Sequence, residues 1–140
     1  MNPEDVRALV ALRMQEADDA LRDVRLLLAE GQGTRSAVSR AYYAAFYSVL
    51  ALLQTVGEVP KKHKGAIALI DRMFVKTSRL PAACSKWLHR LFKVRVQDDY
   101  ERVEPVPMER ALEALEMAQQ FVKEVRGYLT REGFLAEPKD

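Results

Sequence analysis

The longest nearly apolar run of this chain is AYYAAFYSVLALL, residues 41–53. Its thirteen residues are fewer than the roughly 20 that cross a bilayer, and tyrosine hydroxyls and Ser48 lie within it. The run therefore predicts a helix of a soluble protein. A helix that is apolar on all sides is either surrounded by other helices or shared with a second subunit. Both arrangements agree with the sequence, and the second predicts a homodimer.

Helical periodicity continues on both sides of this stretch, and no alternating strand pattern of useful length appears. Asn2 is suited to cap the first helix, and Pro3 is suited to its first position. The predicted helices share apolar residues at steps of three and four, and they cover about 3–30, 34–55, 62–74, 81–100 and 108–130. Because the loops are short, neighbouring helices are expected to be antiparallel. The sequence thus predicts an all-α, up-down helical bundle of four long helices plus one short helix.

Length and composition are those of a single domain. A chain of 140 residues buries roughly two thirds of its unfolded surface, so a core is available without metals or disulfides. The one cysteine, Cys84, excludes an internal disulfide, and the acidic N-terminus does not resemble a signal peptide. We expect one helical domain over 1–134, a disordered tail over 135–140, a cytoplasmic location and no membrane contact.

Charge and motifs exclude several function classes. The formal net charge of +2 does not indicate nucleic-acid binding by itself, so a basic site has to come from local clustering. The chain has no glycine-rich phosphate loop, no nucleophile elbow and no HExxH motif. His63, Cys84 and His89 are too scattered for a zinc site. We therefore expect no metal and no cofactor.

The first candidate set of polar residues lies on the second helix. Arg40, Tyr43 and Tyr47 follow one stripe at i, i+3 and i+7 in an apolar setting. An arginine there needs a carboxylate, a phosphate or water as its partner. Pairing with an acid of the chain and binding of a phosphate are both open.

The second candidate set ends the fourth helix. Arg95 and Asp99 are four residues apart and can pair, whereas Tyr100 lies about 140° round an ideal helix from Arg95. Arg95 either joins an exposed pair with Asp98 or Asp99, or it converges with Tyr100 on a ligand.

The third candidate set, Lys61, Lys62, His63 and Lys64, opens the third helix. Lysines at a helix N-terminus oppose the helix dipole, which favours a compensating anion. A phosphate would provide this anion, and a solvated basic loop is the alternative.

Taken together, several segments resemble the HEPN domain, and more narrowly the stand-alone prokaryotic HEPN proteins often encoded beside a minimal nucleotidyltransferase. The segments that carry the resemblance are SRAYYAAFY (39–47), KHKG (62–65), FVK (74–76), SKWLHRLF (85–92) and Arg95 with DY (99–100). They span most of the chain in the same order as in the family.

The resemblance implies an up-down bundle that dimerises and associates with nucleotides or RNA. Many HEPN proteins are metal-independent endoribonucleases that act as toxins, with an arginine followed after four to six residues by a histidine. Arg95 matches this arginine, but Tyr100 follows it after four residues and no histidine comes later. A tyrosine with a pKa near 10 is a poor general base at neutral pH. The resemblance therefore implies that Arg95 is retained to bind phosphate, and that Tyr100 stands where the family has the histidine that transfers protons.

Three functions follow from the resemblance. The first is a nucleotide- or RNA-binding module that works with a nucleotidyltransferase, for which Tyr100 is a candidate acceptor. The second is an endoribonuclease in which Arg95 and Arg40 stabilise the phosphorane and Tyr100 or His63 moves protons. The third is a scaffold without ligand. The first requires Arg40 and Arg95 to face a shared cleft, and its predicted contacts are Arg40, Tyr43, Arg95, Asp99, Lys61, Lys62, His63 and Lys64.

Overall fold

The computed structural model describes residues 1–97 and 103–138, and all regular structure in these ranges is helical. In the described ranges the α-helices are α1 (Pro3–Ala29), α2 (Thr34–Thr55), α3 (His63–Ile70), α4 (Ala82–Val96) and α5 (Met108–Arg131). A π-helical segment, Asp71–Val75, continues α3. The all-α helical bundle is thus confirmed. The predicted end of the fourth helix near Tyr100 lies outside the described residues.

The start of α1 follows from its first residues. The Asn2 side chain accepts a hydrogen bond of 2.9 Å from the backbone N–H of Asp5, as the predicted cap requires. Pro3 occupies the first turn, where a missing N–H is harmless, and Glu4 and Asp5 face the positive end of the helix dipole.

The central element of the bundle is α2, which packs against α1, α3, α4 and α5. Its buried residues cover somewhat more than half of the helix circumference: Ala37, Val38, Ala41, Tyr42, Ala44, Ala45, Phe46, Ser48, Val49, Ala51, Leu52 and Leu53. Tyr43, Tyr47 and Leu50 lie along the remaining side and are only partly buried. Helices of the same chain therefore explain most of the apolar character of α2, and the homodimer stays a prediction.

Two contacts fix the connection that leads into α5 against the start of α2. The Thr34 hydroxyl donates to the carbonyl of Val106 at 2.7 Å, and Arg35 donates to the carbonyl of Glu104 at 3.0 Å. Gly33 precedes Thr34 with a φ of 71°, which glycine adopts without strain. The base of α2 is thus tied to the segment that follows α4.

The C-terminal end of α5 closes with Gly133 at a φ of 82° and a hydrogen bond from the Phe134 N–H to the Leu129 carbonyl. The division between a domain and a tail at 134/135 stays a prediction. Over the ranges 1–97 and 103–138, no helix combines the length and the apolar character needed to span a membrane.

The π-helical segment shapes the corner between α3 and α4. Its wide turn is closed by a hydrogen bond of 2.9 Å from the Lys76 N–H to the Asp71 carbonyl, which spans five residues. The predicted third helix, 62–74, therefore changes its winding after Ile70. Across the corner, His89 of α4 contacts the side chain of Asp71 at 2.5 Å. These features hold α3 and α4 side by side next to α2.

Candidate nucleic-acid interface

A group of aromatic and basic side chains lies where α2, α3 and α4 meet. We call it the Arg95 cluster, and it consists of Tyr42, Tyr43 and Phe46 of α2, His63 of α3, and Phe92 and Arg95 of α4. The α2 residues fall on one side of that helix because they are one and four positions apart. His63 is the first residue of α3, so its side chain reaches the cluster from the helix end.

Two tyrosines position the Arg95 guanidinium. Its central carbon lies 5.3 Å from the ring centroid of Tyr42 and 5.1 Å from that of Tyr43, which are cation–π distances. One terminal nitrogen, Nη2, donates a hydrogen bond of 3.2 Å to the Tyr43 hydroxyl. Arg95 is partly buried, so its guanidinium has a defined position instead of moving freely in solvent.

His63 is fixed by one hydrogen bond and one stacking contact. Its Nδ1 lies 2.9 Å from the Tyr42 hydroxyl, and its ring stacks on Phe46 with centroids 4.0 Å apart. Burial lowers the pKa of His63, and the charge of Arg95 lowers this pKa further. Since the ordinary value is already about 6.5, the imidazole is neutral at pH 7.

Tyr42 is the buried member of the cluster. Burial raises the pKa of its hydroxyl well above the ordinary range, against a smaller opposing effect of Arg95. The hydroxyl therefore keeps its proton at neutral pH and can serve as donor to a His63 that is unprotonated at Nδ1. This bond ties the core of α2 to the start of α3.

The cluster can bind an anion. A guanidinium binds phosphate oxygens through paired N–H donors, and the neutral His63 ring, whose Nδ1 accepts from Tyr42, has an N–H donor at Nε2. Lys61, Lys62 and Lys64 flank His63 and are exposed, so the entrance to the cluster is basic. In the described part of the chain, no three His, Cys, Asp or Glu side chains are grouped to hold a metal ion.

The structure brings some of the predicted residues together and separates another. Arg95, Tyr43 and His63 share the cluster, and the lysines on either side of His63 adjoin it. Arg40 instead donates to Asp23 of α1 at 2.9 Å, which is the internal pairing that the sequence left open. These contacts therefore do not place Arg40 and Arg95 in a shared cleft. Asp99 and Tyr100 lie outside the described residues.

Two contacts of this region were missed by sequence reasoning. One is the bond between Tyr42 and His63, and the other is the pair of Asp71 and His89. The position of Tyr42 beside Tyr43 in the apolar run is a weak indication of the contact with His63. No local pattern indicates the contact between Asp71 and His89, since residues 18 positions apart meet only through the tertiary fold.

Comparison with known proteins identifies the class to which this fold and this cluster belong. Residues 10–128 match the family model of the HEPN domain, which is most of the chain. The chain therefore belongs to the HEPN family.

Its similarity to particular relatives covers most of each protein. A UPF0332 protein of Thermotoga maritima is 35% identical over 108 residues, which are 77% of this chain and 81% of the relative. A Methanocaldococcus jannaschii protein that carries the name "Putative toxin" is 30% identical over 123 residues, 88% of this chain and 90% of the relative. A second protein of that organism with the same designation is 32% identical over 104 residues, 74% of this chain and 71% of the relative.

Proposed function

We propose that this HEPN protein binds RNA or a nucleotide through its phosphates at the Arg95 cluster. One observation carries the proposal: the Arg95 guanidinium is held against two tyrosine rings by the Tyr43 hydroxyl, beside His63. A guanidinium fixed in this way is prepared to bind two oxygens of one phosphate group through paired N–H donors. Ordering it in advance also lowers the entropy that binding would otherwise cost.

The surroundings of the cluster favour a nucleic acid over a small inorganic anion. Lys61, Lys62 and Lys64 extend the positive charge along the start of α3. Tyr43 and Tyr47 are partly exposed aromatic residues on the same stripe of α2. Basic residues interleaved with aromatic rings are typical of surfaces that bind single strands, because phosphates contact the cations and bases stack on the rings.

We further propose that the protein works as the toxin-like half of a pair with a minimal nucleotidyltransferase, as a cytoplasmic homodimer. Membership of the HEPN family and the toxin designation of two archaeal relatives support this role. Tyr100 is the proposed acceptor of nucleotidyl groups. Intact mass after co-expression with the partner tests the pairing, since a gain of nucleotidyl mass that disappears in Tyr100→Phe is expected. An unchanged mass contradicts the acceptor role.

Binding is tested by titrating a short fluorescent RNA with the protein at several salt concentrations. Arg95→Ala is expected to weaken binding at least tenfold and to make the affinity less dependent on salt, because one phosphate contact is lost. Arg22→Ala is the matched control, since Arg22 is an exposed arginine on α1, and α1 packs against α2 and α5 rather than α3 or α4. Equal affinity of wild type and Arg95→Ala would refute the proposal.

A second candidate function is metal-independent RNA cleavage. The position of His63 favours it, because a neutral imidazole that releases Nδ1 from Tyr42 is a proton acceptor beside a guanidinium, and 2′-hydroxyl attack on a phosphate requires these two groups. Cleavage of labelled RNA in EDTA is then expected, and both His63→Ala and Arg95→Ala should abolish it. RNA that binds and stays intact selects the binding module instead.

A further inference from the structure

A groove of about 860 Å³ runs between α3 and α4, next to the Arg95 cluster. Its floor is apolar and is formed by Ile67 and Ala68 of α3 and by Phe92 and Val96 of α4. Lys64 and Lys93 lie on its rim, and both are exposed. The groove thus combines an apolar interior with positive charge at its edge.

The groove also holds one oriented polar group, the imidazole of His89. Its Nε2 lies 2.5 Å from Asp71 Oδ2, and because a carboxylate only accepts hydrogen bonds, Nε2 carries the proton. In the neutral ring, Nδ1 is therefore an acceptor, and the side chain is 54% exposed. A ligand in the groove can donate an N–H to this atom.

The contact between Asp71 and His89 leaves part of the Asp71 carboxylate without a hydrogen bond in the described part of the chain. The other carboxylate oxygen of Asp71, Oδ1, is buried and accepts no hydrogen bond from residues 1–97 or 103–138. A buried acceptor without a partner lowers stability, and such departures are concentrated at functional sites. Asp71 is also the first residue of the π-helical segment, and π-helical turns occur frequently at such sites.

The groove and the Arg95 cluster are continuous. Phe92 belongs to both, since its ring contacts Tyr42 with centroids 5.8 Å apart and also lines the groove. Lys64 on the rim directly follows His63, and Phe92 lies one helical turn before Arg95. A molecule with its phosphate at the cluster can therefore place an adjoining apolar group in the groove.

We infer that this groove is a nucleobase pocket. The inference rests on the proposed function, because the base would belong to the RNA or nucleotide whose phosphate contacts Arg95. A base provides a flat body for the apolar floor and an N–H edge for His89 Nδ1, and its sugar-phosphate provides anions for Lys64 and Lys93. The competing occupant, a helix from a second copy, would cover the apolar floor but would have to bring acidic side chains to Lys64 and Lys93 on the rim.

Ala68→Trp tests the pocket by filling the groove. Ala68 is exposed, so the added side chain does not disturb the core, and Ala82→Trp at the exposed start of α4 is the matched control. The probes are a short RNA and an inorganic polyphosphate of equal charge. We expect Ala68→Trp to weaken RNA binding about tenfold, since one base contact is lost, and to leave polyphosphate binding unchanged. His89→Ala is expected to weaken RNA binding about fivefold, as loss of one hydrogen bond does.

Different failures of this experiment have different meanings. RNA binding by both variants at wild-type affinity would overturn the pocket while leaving phosphate binding at Arg95 intact. Unchanged RNA affinity together with an altered oligomeric state of Ala68→Trp would also overturn it, and would assign the groove to contact between copies. If the wild type binds neither RNA nor polyphosphate, the proposed function itself is wrong.

Discussion

The bundle has two regions of different construction. Where α1, α2 and α5 pack together, the interior is aliphatic and aromatic, with Val10, Leu52 and Phe121 fully buried. Where α3 and α4 pack on α2, a histidine and a guanidinium are enclosed among aromatic rings, and the helix changes to π winding. Both regions share α2, so one helix serves as core on one side and as the base of the cluster on the other.

This difference separates the origin of stability from the origin of function. Apolar burial stabilises the first region by about 25 cal/mol per Å² of buried surface. Partly buried charges and a buried unpaired oxygen lower the stability of the second region, yet they place chemistry where a ligand can reach it. Substitutions in the first region should therefore mainly change the free energy of unfolding. Substitutions in the second region should mainly change the affinity for a ligand.

The largest loss of stability is expected for Phe121→Ala. Phe121 of α5 is fully buried, so truncation leaves a cavity and should lower the free energy of unfolding by about 3–5 kcal/mol. Denaturant unfolding followed by circular dichroism measures this change. Leu112→Ala on the same helix is the control, because Leu112 is 50% exposed and should change stability by about 0.5 kcal/mol or less. Similar losses in the two variants would contradict the assignment of the core.

A smaller loss is expected for Tyr42→Phe, which removes the hydroxyl that contacts His63. Losing this hydrogen bond should lower the free energy of unfolding by about 0.5–1.5 kcal/mol. Tyr47→Phe is the matched control, since the Tyr47 hydroxyl makes no hydrogen bond with the described part of the chain. If both variants unfold at the same denaturant concentration, the Tyr42–His63 bond does not contribute to stability.

The third test concerns the charge of His63. Its pKa in the folded protein is below the ordinary 6.5, so the unfolded chain binds more protons once the pH falls under that value. The contribution of His63 to stability is therefore complete above pH 6.5 and is lost as the pH falls through the lower, folded pKa. NMR titration of the imidazole should show this low midpoint, and Arg95→Ala should move it upward. A midpoint of His63 that Arg95→Ala leaves unchanged would contradict the proximity of the two charges.

The smallest effect is expected for the ion pair that links α1 and α2. Arg40 and Asp23 are both substantially exposed, so a double-mutant cycle with alanine should give a coupling of about 0.2–1 kcal/mol. The same variants show whether Arg40 contributes to binding. Asp23→Ala releases Arg40, and unchanged RNA affinity in this variant would place Arg40 in the scaffold. Tighter RNA binding by Asp23→Ala would instead return Arg40 to the phosphate-binding surface.

The helices were predictable from the sequence because their signals are local. The Asn2 cap, the apolar steps along each helix and the breaks at proline or glycine need no knowledge of the tertiary fold. The surroundings of α2 were not predictable, because an all-apolar helix fits both burial and a subunit interface. The packing of four helices against it covers most of its surface and leaves Tyr43, Tyr47 and Leu50 partly exposed.

The candidate site was predictable in part. The sequence predicts three site residues that do meet, namely Arg95, Tyr43 and His63. Their contact depends on how α3 and α4 pack on α2. The pairing of Arg40 with Asp23 depends in the same way on the register between α1 and α2. The contact of Asp71 with His89 joins residues 18 positions apart, and the π-helical turn that begins at Asp71 leaves no trace in an apolar repeat.

Most of α2 is covered by helices of its own chain, which removes much of its apolar surface from water without a partner. A partner that binds the outer helices can therefore dissociate without uncovering Val49 or Leu52, both of which are fully buried in one chain.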